Sequence, residues 1–159
     1  MAEDTPVLTT EHEWHKKFAL DLNHLVWTLL DKADRTPAEN DNMINAAHAS
    51  HFHWDELGTA VRTRGEWLIA HVYAVLEQPE ATLYHAQRCL NLCHEANIKD
   101  FDIAYGYEAM ARAYALLGRK EDCEAYLKQA QEAGEHIQDK EDREIFFGDF
   151  VADPWCGMR

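Results

Sequence analysis

Apolar residues recur every three to four positions along most of the chain, which is the spacing of one face of an α-helix. Proline- and glycine-containing segments interrupt this pattern. It predicts seven helices, at about 10–33, 36–57, 60–76, 80–96, 101–117, 121–138 and 141–150. No segment shows the sustained alternation of a half-buried strand. The sequence therefore predicts an all-α fold of antiparallel helices joined by short turns.

The first two helices carry clear start signals. Thr10 with Glu13, and Thr36 with Glu39, have the spacing of a capping box, in which a hydroxyl and a carboxylate satisfy free backbone N–H groups. Gly58 is predicted to stop the second helix. The core-facing residues predicted on the first helix are Trp14, Phe18, Leu22, Leu25 and Leu29.

The third to sixth helices contain a repeated sequence pattern. The segment YAVLEQPEATLYHAQRCLNL begins at Tyr73, and YALLGRKEDCEAYLKQAQEA begins 41 residues later at Tyr114. In both, an aromatic residue is followed by a turn and then by two small residues. The matching positions are Leu76 with Leu117, Glu77 with Gly118, Thr82 with Cys123, and Cys89 with Ala130. This pattern resembles the tetratricopeptide repeat, whose units are typically ~34 residues long.

The resemblance implies a right-handed solenoid of about three helix pairs plus a C-terminal capping helix. The chain is then a single domain, 1–159. It divides into a flexible N-terminus (1–9), a divergent first helix pair (10–58), two repeats (59–138), and a capping helix with a tail (139–159).

The resemblance also implies a concave groove, formed by the first helix of each pair. The residues expected to line it are His24, Trp27, Arg64, Trp67, His71, Tyr105, Glu108 and Arg112. Aromatic walls with a few polar groups suit a peptide or protein partner, or a small-molecule ligand. Alternatively, the two tryptophans pack between neighbouring helix pairs and Glu108 forms an ordinary i, i+4 ion pair with Arg112.

The ten histidines suggest a second function. In the segment HASHFHW, His48 and His51 share one edge of the second helix, whereas His53 points to the other edge. His12 and His15 form a similar i, i+3 pair near the start of the first helix. If the two pairs meet, they could hold a divalent transition metal. The alternative to a binding module is thus a small metal-dependent enzyme, with Glu66 or Glu108 as acid/base group, and the competing interpretation is ordinary packing of these histidines.

One face of the fourth helix also carries residue types that bind metals. His85, Cys89 and Cys93 follow one face of the fourth helix, and soft ligands of this kind suit zinc or copper. Cys89 falls where the repeat has a small buried residue, which favours cysteine packed as a small hydrophobe. The chain has no GxSxG, Walker A, Rossmann glycine or HExxH motif, so the sequence does not decide whether it is an enzyme.

The net charge limits the classes of partner, and the cysteine content indicates the redox setting. Fifteen basic and 29 acidic side chains give a formal net charge of −14, which repels nucleic acids and anionic membrane surfaces. The segment MAEDTPVLTT lacks the basic and apolar regions of a secretory signal. The four cysteines form no CxxC pair, so we expect a reducing, cytoplasmic setting. A homo-oligomer is compatible with the sequence.

Overall fold

The computed structural model describes residues 10–152, 154–155 and 157–158, and within these ranges the fold is all-helical, without strands. The helices in this part of the chain are α1 (Glu11–Leu30), α2 (Pro37–Asp55), α3 (Thr59–Val75), α4 (Pro79–Glu95), α5 (Phe101–Leu116), α6 (Lys120–Glu135) and α7 (Lys140–Val151). The predicted all-α class is confirmed. The segment 1–9, expected to be flexible, lies outside the described residues. None of the described helices is long and apolar enough to span a bilayer.

The helix starts predicted from capping boxes are confirmed. At α1, the Thr10 hydroxyl accepts a hydrogen bond from the Glu13 N–H, and the Glu13 carboxylate accepts one from the Thr10 N–H. Thr36 and Glu39 form the same reciprocal pair at α2, where Pro37 occupies the first turn. These bonds satisfy N–H groups that have no partner within the helix.

The helices from α1 to α6 pack against their neighbours along the chain, α3 also packs against α5, and α7 lies against α5 and α6. Helix α5 is therefore covered on several sides, and ten of its residues are buried, most of them small. A Cβ atom at Gly106 would lie 3.5 Å from the Cα of Leu90, so α4 and α5 approach closely there. The core centres on α3 and α5.

The two predicted repeat copies share the same turn. After α3, Glu77 takes a left-handed conformation (φ 55°), and the Gln78 N–H donates to the Tyr73 carbonyl at 2.9 Å. After α5, Gly118 takes the same conformation (φ 70°), and the Arg119 N–H donates to the Tyr114 carbonyl at 3.0 Å. This pattern satisfies carbonyls that the helix end leaves free. The four small residues matched in the repeat are all fully buried: Thr82, Cys123, Cys89 and Ala130.

The core face predicted for α1 is correct at Leu29, which is buried, and at Leu22, which packs partly buried against the core, but it is wrong at the other three positions. Trp14, Phe18 and Leu25 are 43%, 41% and 41% exposed, whereas Ala19 and Val26 are fully buried. Apolar residues cover a wider arc of α1 than one neighbouring helix can bury, and α2 covers the Ala19 side. The small alanine permits close approach, and the Ser50 hydroxyl of α2 donates to the Ala19 carbonyl at 2.8 Å. Periodicity identified an apolar face but not the part of it that is covered.

Candidate functional site

The predicted groove residues meet around Trp67 of α3. Its ring stacks on His71 at 4.9 Å between centroids, lies 6.1 Å from Trp27 of α1, and meets the ring of Tyr105 of α5 edge-on at 4.8 Å. The indole N–H donates to Glu108 Oε2 at 2.8 Å. The spacing of these residues along three helices thus brought their side chains together, as predicted.

The inner end of this cluster is closed by the chain itself. Glu108 and Arg112 are fully buried, and the Arg112 guanidinium donates to the Glu108 carboxylate. The same guanidinium donates to the carbonyls of Asp149 at 2.7 Å and Ala152 at 2.8 Å, and it lies 4.3 Å from the ring centroid of Trp155. The predicted i, i+4 pair therefore exists, but it does not face an open groove. It anchors the C-terminal segment, which consists of the end of α7 from Asp149 and the described residues after it.

The outer part of the cluster remains open as a cavity of about 220 Å³. Its lining comes from five helices: Asn23, Trp27, Thr63, Arg64, Trp67, Leu68, Cys89, Phe101, Asp102, Tyr105, Ile145 and Asp149. Four of the predicted groove residues are among them. His24 is exposed on α1 and does not line the cavity.

Two hydrogen-bonded pairs of polar side chains lie in the lining of this cavity. Arg64 Nε donates to Asp102 Oδ1 at 3.0 Å, and its guanidinium lies 5.7 Å from the centroid of Phe101. The hydrogen bond to Asp102 raises the pKa of Arg64. The Tyr105 hydroxyl donates to Asp149 Oδ2 at 2.6 Å. Burial, together with this bond to a carboxylate, raises the pKa of Tyr105 well above its ordinary value, so the hydroxyl keeps its proton.

Burial also sets the protonation of His71. Desolvation, with the nearby Arg112 charge as the next cause, lowers the pKa of His71 to about 3. Its imidazole is therefore neutral near pH 7 and stacks on Trp67 as an uncharged ring. Within the cluster, His71 therefore packs against Trp67.

Several lining residues were not identified from the sequence. Asp102 lies one turn before Tyr105 on α5, so its position on the same face as Tyr105 was a usable signal. Ile145 and Asp149 belong to α7, whose docking against α5 no spacing rule in the sequence reveals.

The two histidine pairs proposed as a metal site face different neighbours. His48 Nε2 lies 3.0 Å from the Tyr73 hydroxyl, and His51 Nε2 lies 3.2 Å from Glu66 Oε1, so both point toward α3. The histidine that meets α1 is His53, whose Nδ1 lies 3.0 Å from His15 Nδ1. His12 is exposed at the start of α1.

Glu66 is the centre of a second polar cluster. The carboxylate, 1% exposed, pairs with His51 and accepts hydrogen bonds from His85 Nδ1 at 2.7 Å and Arg88 Nε at 2.7 Å. Burial alone would raise the pKa of Glu66, but the three partners outweigh it and hold that pKa far below its ordinary value. Desolvation, with the neighbouring His85 as the next cause, lowers the pKa of His48 at the edge of this cluster. The cluster joins α2, α3 and α4.

In the described parts of the chain, no group of three or more His, Cys, Asp or Glu side chains has an arrangement that could hold a metal ion. On the predicted α4 face, His85 is engaged with Glu66, while Cys89 and Cys93 are buried free thiols. The hydrogen bond that the Cys89 thiol donates to Cys93, followed by burial, raises the pKa of Cys89, so this thiol stays protonated. The expectation of a small buried residue at position 89 is confirmed.

Comparisons with family models, with curated proteins and with solved structures give no match to this chain.

A single methyl group is expected to disturb the wall that α7 adds to the cavity. In Gly134→Ala, the new Cβ would lie 2.7 Å from Phe146 Cδ1 and 2.9 Å from Phe147 Cζ, so α7 must shift. Urea unfolding should show a loss of about 1–3 kcal/mol, the usual cost of overpacking. Gly148→Ala on α7 is the control, because no atom lies within 4 Å of its added Cβ. Equal stability of the two variants would contradict the packing of α7 against α6.

Proposed function

We propose that the chain is a TPR-like helical-repeat module that binds a peptide or partner protein through the cavity bounded by α1, α3, α4, α5 and α7. The observation that carries the proposal is the cavity itself, which is lined by aromatic rings from α1, α3 and α5. The packing of α3 against α5, the first helices of successive pairs, supports the repeat architecture.

The size of the cavity indicates what it holds. Pockets for drug-sized ligands measure about 300–1,000 Å³, whereas this one has about 220 Å³. A space of this volume suits one large side chain of a partner. Arg64 and Ile145 at the cavity are exposed, so a peptide backbone could cross the surface beside them. The inner groove does not take part, because Arg112 holds the C-terminal segment there.

The proposal is tested with peptides selected on the wild-type protein from a random library of short linear sequences. Their affinities are then measured by fluorescence polarisation for the wild type, Trp27→Ala and Trp14→Ala. Both variants remove a tryptophan from α1, but only Trp27 lines the cavity, while Trp14 is 43% exposed elsewhere. We expect Trp27→Ala to weaken binding at least about tenfold, or ~1.4 kcal/mol, because anchor pockets concentrate binding energy in aromatic residues.

Trp14→Ala should bind like the wild type, and circular dichroism should show both variants helical. Peptides whose affinity is unchanged by Trp27→Ala would contradict the proposed site. Failure to select any peptide that binds better than its scrambled sequence would contradict peptide binding altogether.

A further inference from the structure

Four aromatic rings surround the cavity, and they present both faces and edges to one another. Trp27 lies 6.1 Å from Trp67, Trp67 lies 4.8 Å from Tyr105, and Tyr105 lies 4.7 Å from Phe101, all measured between ring centroids. All four residues line the cavity. The face of an aromatic ring carries a negative potential, and several rings around one space are an arrangement that attracts cations.

Two carboxylates add negative charge to the same space. Asp102 and Asp149 line it, and among the described lining residues Arg64 is the one basic side chain. Arg64 is paired with Asp102. Asp149 accepts a hydrogen bond from the neutral Tyr105 hydroxyl, and this bond does not cancel its charge. The lining as a whole therefore carries a net negative charge.

The chain already places a guanidinium of its own against part of this lining. Arg64 lies 5.7 Å from the Phe101 centroid while it donates to the Asp102 carboxylate. A cation held between a ring and a carboxylate is thus compatible with the local geometry. Arg64 is exposed, so its side chain can move aside at little cost in packing.

We infer that the cavity takes an alkylammonium or guanidinium group, an inference that rests on the proposed function and names the chemistry of the anchor. The methylene stem of such a group packs against Leu68 and Ile145, and its charged head lies among the rings near Asp149. The net charge of −14 adds a long-range attraction for cations. The group has two sources, a lysine or arginine side chain of a peptide or a free aliphatic diamine.

The experiment compares peptides that differ at one position. A peptide selected on the wild-type protein is synthesised with Lys, Arg, norleucine or Glu at its anchor position, and cadaverine is titrated as the free diamine. Binding is measured by isothermal titration at low and at physiological salt. We expect the Lys or Arg peptide to bind at least about tenfold more tightly than the norleucine peptide. This preference should weaken as salt is raised.

Two variants test the carboxylate. Asp149→Asn removes one negative charge from the cavity, and Glu144→Gln removes one from an exposed position on α7 outside the cavity. We expect Asp149→Asn to lose about tenfold in affinity for the Lys peptide and Glu144→Gln to lose none. Because Asp149 also bonds Tyr105, Tyr105→Phe serves as a second variant that removes this bond and keeps the charge. Its loss of affinity for the Lys peptide should be smaller than that of Asp149→Asn, and an equal or larger loss would contradict the role of the charge.

The outcomes separate this inference from the function on which it rests. If norleucine binds as tightly as Lys and Trp27→Ala still weakens binding, the cavity is an apolar anchor site and the cationic ligand is wrong. If cadaverine binds while no selected peptide does, the cation is supported and the peptide form of the proposed function is wrong. If neither binds, both are wrong.

Discussion

Replacing Arg112 with Met is expected to lower the free energy of unfolding by about 3–5 kcal/mol, the usual cost of removing one partner from a buried ion pair. The Glu108 carboxylate, which is 0% exposed, would keep only the hydrogen bond from Trp67. The carbonyls of Asp149 and Ala152 would lose their donor as well, which should loosen the contact of α7 and the residues after it with α5. Urea unfolding at neutral pH measures the loss.

A surface arginine provides the matched control. Arg119 pairs with Asp122 at 2.7 Å, and both side chains are largely exposed. Surface pairs contribute about 0–1 kcal/mol, so Arg119→Met should change stability little. The double variant Arg112→Met/Glu108→Gln should be more stable than the sum of its single variants predicts, because the unpaired buried charge is gone. Equal losses for Arg112→Met and Arg119→Met would contradict the buried network.

Arg112 is a poor probe of binding, because its replacement is expected to destabilise the fold. As a groove residue, Arg112 would be expected to contact a partner and to tolerate substitution without loss of helicity. Its burial and its bonds to α7 and the tail mean that a loss of binding in an Arg112 variant would report a damaged fold. Trp27 is the better probe, since it lines the open part of the cavity.

Local signals in the sequence predicted the helices well. Threonine followed three residues later by glutamate identifies a helix start because both side chains bond the backbone of the first turn. Matching aromatic, turn and small positions identified the repeated turn at Glu77 and Gly118, where the backbone is left-handed in both copies. These signals act over a few residues, so they do not depend on which helices become neighbours.

Predictions that depended on the choice of neighbour were less successful. Helical periodicity gives the angle between His51 and His53, but it does not say which edge meets α1, and His53 is the residue that does. Likewise, α1 buries Ala19 and Val26 and leaves Phe18 exposed. Most of the predicted groove residues converge, with His24 as the exception, but no periodic pattern indicated that Trp155 would dock on Arg112.

Replacing Glu66 with Gln is expected to cost about 1.5–3 kcal/mol at pH 7, because it removes a buried carboxylate that accepts hydrogen bonds from His85 and Arg88. The amide keeps nearly the same shape, but its one oxygen can accept only one of the bonds that His85 and Arg88 donate to the two carboxylate oxygens, and its NH₂ group cannot accept the other. The link between α2, α3 and α4 should loosen. Thermal or urea unfolding of the purified variant measures this loss.

The pH dependence of that loss distinguishes the charge from the packing. The pKa of Glu66 is depressed in the folded protein, so its charge stabilises the fold above the unfolded-state pKa of about 4.3 and progressively less as the pH falls toward the folded value. The difference in stability between the wild type and Glu66→Gln should therefore be large at neutral pH and shrink below about pH 4.3. Glu124→Gln, which alters an exposed residue of α6 near Lys120, should show little difference at either pH. A difference for Glu66→Gln that stays constant down to strongly acidic pH would mean that shape and not charge holds these three helices together.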